Sequence, residues 1–208
     1  LNPVGKEYTM HFSSKSAAEL CHIGSVRRSG SAFDQASRPS LSTCRSQCRE
    51  QVLGVKDRYS ELERRGYHGE DFQLLEQVWR TEPNEDVLGW CRNPDNSREH
   101  VIHPAVLDAA IQLCDYRTLQ HDSASCVWQL SRIETVAWFP IVNGTVPNNS
   151  GRSGTWIHSS LSGGSENLEQ TTTLTLFDDF AEPWLYLQQC ICTPAFSDAL
   201  APWIPQHE

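Results

Sequence analysis

Asp108 and Gln112 are the residues of this chain whose types and spacing most readily do chemistry. They lie in the string HPAVLDAAIQ, from His103 to Gln112. In an α-helix, positions i and i+4 are stacked neighbours, so the amide would sit one turn above the carboxyl group on the same face. Pro104 suits the first helical position, where its missing N–H costs nothing. The remaining residues, with Leu113 and Cys114 after them, are apolar nearly all round. Such a helix is expected to be buried. A carboxyl group there is costly unless hydrogen-bonded or kept protonated, and a protonated acid oriented by an amide is a general acid. An Asp and a Gln at this spacing also occur on many solvated helix faces, where they do nothing.

The elements that must position this pair can be read on either side of it. Residues 7–28 read as a hairpin with strands near Tyr8–Ser13 and Leu20–Val26. Residues 29–50 are rich in Ser, Arg, Gln and Gly without an apolar period, which predicts a linker. An amphipathic helix is expected over Val52–Arg65, with Tyr59 and Leu62 on one face and Gly66 ending it. Strands follow at Phe72–Thr81 and Val87–Cys91, broken by Pro83-Asn84. After the apolar helix come Cys126–Leu130, Glu134–Phe139, Gly154–Leu161, Gln170–Phe177 and Pro183–Cys192, several with partial alternation of apolar and polar residues. One long buried helix wrapped by five to seven antiparallel strands is an α+β arrangement. The length, 208 residues, fits one domain or one domain with an extra piece.

Bulk properties narrow the function classes. Lys+Arg 17 against Asp+Glu 26 gives a formal charge of −9, and no cluster of basic residues marks a nucleic-acid surface. No apolar run reaches the roughly 20 residues that span a bilayer, and the first ten residues lack the apolar core of a signal peptide. Of the eight cysteines, Cys114, Cys190 and Cys192 fall inside apolar segments, where free Cys packs as a small hydrophobe. Cys44 and Cys48 are half a zinc site at best, and no metal is expected. Asn143 and Asn148 fit the glycosylation pattern but also serve as turn residues. A reducing, cytoplasmic compartment follows from these features.

The string HPAVLDAAIQ resembles the HPALLDAxxQ segment of the dehydratase domains of polyketide synthases and animal-type fatty acid synthases. Other stretches agree. Tyr59-Ser-Glu-Leu-Glu-Arg-Arg-Gly66 is similar to that family's "Y..L...G" helix, and Tyr67-His68-Gly69-Glu70-Asp71-Phe72-Gln73 to its YGPxFQ motif. Trp138-Phe139-Pro140 and the hairpin Leu176–Tyr186 are similar as well, although the family's "D..G" there reads Asp178-Asp179-Phe180-Ala181. Loss of that Gly implies an altered turn. The likeness covers residues 51 to 195. Residues 7–28 resemble the end of the family's first hotdog, with Leu20–Val26 in place of its "W..H..G.v" string.

The resemblance implies a hotdog fold, a curved antiparallel sheet around one long buried helix, and identifies residues 51–197 as the second half of a double hotdog. Residues 1–28 would then be the end of the first half, 29–50 a flexible linker and 198–208 a tail. It implies Asp108 as the catalytic acid and Gln112 as the residue holding it. His68, Gly69, Phe72 and His103 are the implied substrate-side residues, with His103 also suited to bonding the helix start. The implied reaction is loss of water from a 3-hydroxyacyl thioester carried on the phosphopantetheine of an acyl carrier protein. It needs no cofactor, nucleotide or metal. Its partners would be that carrier protein, the N-terminal hotdog half and other synthase domains.

The family's HxxxGxxxxP motif, which supplies the base, has no counterpart in these 208 residues. An acid without a base predicts a nearly inert chain when alone. Uncovered sheet surface predicts pairing, whether with the missing half or as a homodimer. A non-catalytic scaffold docking carrier protein or synthase domains is the alternative. A double-bond isomerase or a pyran-forming cyclase on the same scaffold stays open, as do acyl length and stereochemistry.

Overall fold

The computed structural model of the chain describes residues 7–13, 20–27, 39–64, 69–82, 86–94, 103–117, 126–138, 154–165, 169–178 and 180–196. The expectations that fall on Gly66, His68, Pro83-Asn84, Asn143, Asn148 and the 198–208 tail lie outside them. The chain divides into two units, residues 1–38 and 39–208. The first is the expected hairpin. Strand β1 (Glu7–Ser13) pairs antiparallel with β2 (Leu20–Arg27), Tyr8 opposite Val26 and His11 opposite Ile23.

The second unit is built on a seven-stranded sheet. Its strands are β3 (Glu50–Val52), β4 (Leu75–Arg80), β5 (Asp86–Arg92), β6 (Cys126–Trp138), β7 (Gly154–Ser165), β8 (Glu169–Phe177) and β9 (Pro183–Phe196). They lie in the order β3-β4-β5-β7-β8-β9-β6, every neighbouring pair antiparallel. Among the described residues, three helices accompany it: α1 (Leu41–Gln47), α2 (Val55–Arg64) and α3 (Pro104–Gln112). A 3-10 turn at Glu70–Phe72 precedes β4, and a second, Leu113–Arg117, continues α3.

Alternation along the strands sorts residues between the two faces of the sheet. Val87 and Cys91 of β5, Ile157 of β7 and Leu174 and Leu176 of β8 join the core around α2 and α3. Leu88 and Phe177, one residue out of phase, face the opposite way and pack with Leu41, Cys44 and Cys48 beside Trp79 and Trp156. In β9 the alternation changes phase. Gln189 takes φ +53°, and the irregular pairing there lets both Leu187 and Cys190 reach the α3 side. The α+β arrangement expected from the sequence is present, with one helix layer on each face of the sheet.

Several details differ from the sequence reading. The expected linker 29–50 contains α1 and the start of β3. Ser40 caps α1 by accepting from the Thr43 amide at 3.1 Å, but its buried positions include Cys44, and Cys48 follows directly. Two cysteines and one leucine are too few obvious hydrophobes to register as a period. Helix α2 begins at Val55 rather than Val52, because Gly54 (φ +80°) separates it from β3. The two strands expected over 126–139 are one strand with a bulge at Leu130/Arg132, where Ser131 Oγ donates to Ile191 O. The strand expected from Phe72 begins at Leu75. The buried helix is nine residues of α-helix tightened into a 3-10 turn, not one long helix. Lastly, the turn at 178–182 keeps Ala181 at φ +67°, the region a glycine favours. Asp178 Oδ1 accepts from the Phe180 and Glu182 amides, both at 2.9 Å, which holds the turn in place of a glycine's freedom.

At Gly89 of β5 the Leu113 side chain, just past α3, packs closely on the sheet. A Cβ there would lie 2.7 Å from Leu113 Cδ2 and 3.0 Å from Leu75 Cδ2. Gly89→Ala is expected to lower stability by about 1–3 kcal/mol through overpacking, read as a reduced urea midpoint at unchanged slope.

Candidate functional site

Helix α3 starts where the sequence placed it. His103 is the N-cap, with extended backbone, and its Nδ1 accepts the Ala105 amide hydrogen at 3.2 Å. Pro104 follows at the first helical position. The neutral ring therefore carries its proton on Nε2, and the helix start accounts for Nδ1. The bonding role expected of His103 matches this geometry.

The helix is not enclosed all round. Ala105, Val106, Ala109, Ala110 and Gln112 are buried, whereas Leu107, Asp108 and Ile111 are only partly covered and Pro104 is exposed. Positions 104, 107, 108 and 111 form one stripe at helical spacing. Its single polar member is Asp108. An acid set in a partly open apolar stripe can meet a ligand that the core cannot admit.

Gln112 bridges that acid to the interior. Its Nε2 donates to Asp108 Oδ2 at 2.6 Å and to the carbonyl oxygen of Phe72 at 3.1 Å. Its Oε1 accepts from the Tyr59 hydroxyl at 2.6 Å, and that hydroxyl accepts the Leu75 amide hydrogen at 3.1 Å. The direction of this chain follows from Phe72. A backbone carbonyl can only accept, so the Gln112 nitrogen must face it and the carboxyl group, which leaves Oε1 to take the Tyr59 proton. The amide orientation is thus imposed by the turn before β4 rather than chosen locally. Burial pushes the Tyr59 hydroxyl above the ordinary phenol range, with the Leu75 amide acting against it, so it remains a donor.

Tyr59 was read from sequence as a core residue on the α2 face, and its hydrogen-bonding role was missed. The contact joins residues 53 apart, and no local pattern encodes it. Tyr59→Phe removes the donor to Gln112 Oε1 and the acceptor of the Leu75 amide. A loss of about 1–3 kcal/mol for each stranded group is expected, measured by urea unfolding.

The other expected site residues divide. Phe72 contributes its carbonyl oxygen to Gln112, and the residue is 40% exposed at the end of the 3-10 turn that packs against α3. Gly69 caps the 3-10 turn, its oxygen accepting from the Phe72 amide at 2.8 Å. A Cβ at Gly69 would meet nothing within 4 Å, so no close approach in this structure requires glycine there. His68 lies outside the described residues.

Around the far end of α3, Asp115 Oδ1 accepts the Trp128 amide hydrogen at 3.0 Å and ties β6 to the helix. The buried Arg117 donates to Ser159 Oγ at 2.6 Å and Thr172 Oγ1 at 3.2 Å, fastening the same turn to β7 and β8. An acid–imidazole pair, Asp86 and His158, has Oδ2 and Nε2 3.6 Å apart. Strand alternation puts it with Leu88 and Trp156, on the face of α1, so it does not share the Asp108 site. Among the described residues, no group of three or more His, Cys, Asp or Glu is arranged to hold a metal ion, and no helix is long and apolar enough to cross a membrane.

Comparison with known proteins gives a consistent picture. Residues 36–149 match the family described as polyketide synthase dehydratase N-terminal domain. No curated protein matches the sequence. Among solved structures, an inactive histidine-to-phenylalanine variant of the CurJ dehydratase superposes with a TM-score of 0.66 at 18% identity, over 94% of this chain and 66% of that one. An inactive aspartate-to-asparagine variant of the CurK dehydratase gives 0.63 at 15% identity, over 96% and 66%. The dehydratase domain of RzxB from Pseudomonas fluorescens gives 0.55 at 17% identity, over 70% and 50%. The chain therefore spans less than two thirds of the length of each. At these identities the likeness shows the fold, the antiparallel sheet and helix of a hotdog.

Proposed function

The chain belongs to the polyketide synthase dehydratase family, and from that membership we propose that it is the second-hotdog portion of a dehydratase domain. The matching family profile carries an N-terminal description. The half assignment rests instead on the motifs, since HPAVLDAAIQ is present and HxxxGxxxxP is not. In this reading residues 1–28 are the end of the first hotdog and residues 51–197 are the second.

The substrate is a 3-hydroxyacyl chain on the phosphopantetheine arm of an acyl carrier protein, and the product is the enoyl thioester. Asp108 protonates the departing β-hydroxyl as water. Gln112 holds the carboxyl group by the 2.6 Å bond from its Nε2, and Tyr59 and Phe72 fix Gln112 in turn. This locked amide beside a partly exposed acid is the observation that carries the proposal. The inactive aspartate and histidine variants among the relatives support an acid and a base sharing the work there. The α-proton goes to a histidine on a first-hotdog half, which also covers the apolar stripe of α3. Phe72, Gly69 and His68 line the acyl path, and His103 sets the start of the helix. The setting is a reducing, cytoplasmic synthase with further domains as neighbours.

The test is a dehydration assay on a 3-hydroxyacyl carrier protein, followed by mass spectrometry of the enoyl product. The chain is assayed alone and mixed with a dehydratase first hotdog bearing the HxxxGxxxxP motif. Activity confined to the mixture supports the assignment, whereas activity of the chain alone requires a base within these 208 residues. A second reading, a non-catalytic hotdog that docks carrier protein, is favoured by the missing HxxxGxxxxP spacing. It predicts carrier binding with no turnover in either arm.

A further inference from the structure

Two residues beyond Gln112, on the turn that continues α3, a pair of thiols lies apart from the Asp108 site. Cys114 Sγ and Cys192 Sγ are 3.8 Å apart, and neither residue has any exposed surface. Trp128 packs with them, and Ile111 and Leu130 lean against the cluster. The Arg117 guanidinium approaches Cys114 Sγ to 3.9 Å while Ser159 and Thr172 hold it from the other side.

Two thiols at this separation suit either a shared soft metal ion or a disulfide. The fixed positive charge of Arg117 decides between them, since it repels a cation and favours a thiolate. We propose that Cys114 and Cys192 form a peroxide-oxidisable dithiol that closes reversibly to a disulfide. This stands apart from the dehydratase reading, because its readout is the sulfur chemistry itself.

Cys114 is the attacking sulfur. The hydrogen bond from Cys192 pulls its ionisation below the ordinary thiol range, burial opposes, and Arg117 adds to the pull. Cys192 is pushed the other way, chiefly by holding its proton toward Cys114, so it stays a thiol until needed. The four other buried thiols whose ionisation is displaced, Cys44, Cys48, Cys91 and Cys190, are each pushed up to about 12, foremost by burial. They are poor nucleophiles by comparison.

In the first step the Cys114 thiolate attacks one oxygen of hydrogen peroxide. The O–O bond breaks, an S–OH forms, and hydroxide leaves to take up the proton that Cys114 had released. In the second, Cys192 gives up its proton and attacks the sulfenic sulfur. The S–S bond forms, the S–O bond breaks, and the departing hydroxide combines with that proton. Two thiols and one peroxide become one disulfide and two waters. The sulfurs must close from 3.8 Å to about 2.05 Å. Cys192 pairs with Leu130 of β6, the last strand of the sheet, so opening of one edge strand admits peroxide.

The test treats the reduced protein with graded hydrogen peroxide, alkylates remaining thiols after denaturation and maps peptides by mass spectrometry. A Cys114–Cys192 cross-link should accumulate before Cys44, Cys48, Cys91 or Cys190 lose alkylation, and dithiothreitol should reverse it. In Cys192→Ala, a dimedone adduct should appear on Cys114. Should that variant not fold, the order of oxidation in the unaltered chain decides alone. Earlier oxidation of any of the other four, or sulfinic acid on Cys114 without a cross-link, overturns the proposal.

Discussion

Asp108→Asn is expected to lower dehydration by the reconstituted pair of hotdogs by about 10²–10⁴-fold while leaving folding intact, because one positioned acid contributes on that order. The two side chains are nearly isosteric. Asn can turn its oxygen toward Gln112 and keep accepting from Nε2, so the chain of bonds from the Leu75 amide through Tyr59 to position 108 survives. Only the acidic proton is lost. Because the substitution touches the leaving-group step, kcat should fall and carrier-protein affinity should not. The comparison needs single-turnover enoyl formation, a binding measurement and a urea melt on the same preparation. Undiminished turnover by the variant would remove Asp108 from the mechanism. A fall in stability matching the fall in rate would make the residue structural.

The acid–amide pair was legible because everything it needs is local. His103 caps, Pro104 starts the helix, and the i,i+4 rule brings Gln112 over Asp108 without knowledge of any other element. The strands of β7, β8 and β9 were legible for a similar reason, since alternation is written residue by residue. What failed was non-local or chemically disguised. Tyr59 looks like any aromatic on an amphipathic face, and its phenol meets Gln112 only after α2 and α3 pack together. Helix α1 is anchored by cysteines, which a hydrophobic count undervalues although they are fully or nearly fully buried here. Enclosure of α3 was overestimated because apolar composition on every side does not say which side the chain itself covers. Leu107 and Ile111 are as hydrophobic as Val106, yet they share the partly open stripe with Asp108. That stripe is where the proposed first hotdog would sit.

Those buried cysteines carry the second large expectation, a steep loss of stability in alkali. Cys44, Cys48, Cys91 and Cys190 each move from an ordinary 9.0 to about 12 in the folded chain, burial being the main cause. A group whose folded pKa is raised contributes stability that is complete below its unfolded pKa and lost as pH rises toward the folded value. The window is therefore pH 9 to 12. Within it the unfolded chain binds fewer protons than the folded one, and stability falls by about 1.4 kcal/mol per pH unit for each thiol. Four together give about 5 kcal/mol per unit, against a total of about 5–15 kcal/mol for a typical domain. Tyr59 and Tyr116, whose phenols burial also raises, steepen the upper part of the curve. Cys192, held protonated by its hydrogen bond to Cys114, adds to the same loss above pH 9, whereas Cys114, pulled below the ordinary thiol range, titrates under that window. Urea unfolding under a non-thiol reductant from pH 7 to 11 should turn steeply downward above pH 9.5. In Cys44→Ala/Cys48→Ala, which removes two of the raised thiols, the slope above pH 9.5 should fall by about a third. A curve flat through pH 10.5 would show that these thiols ionise as readily in the folded chain as in the unfolded one, and that their burial governs nothing in alkali.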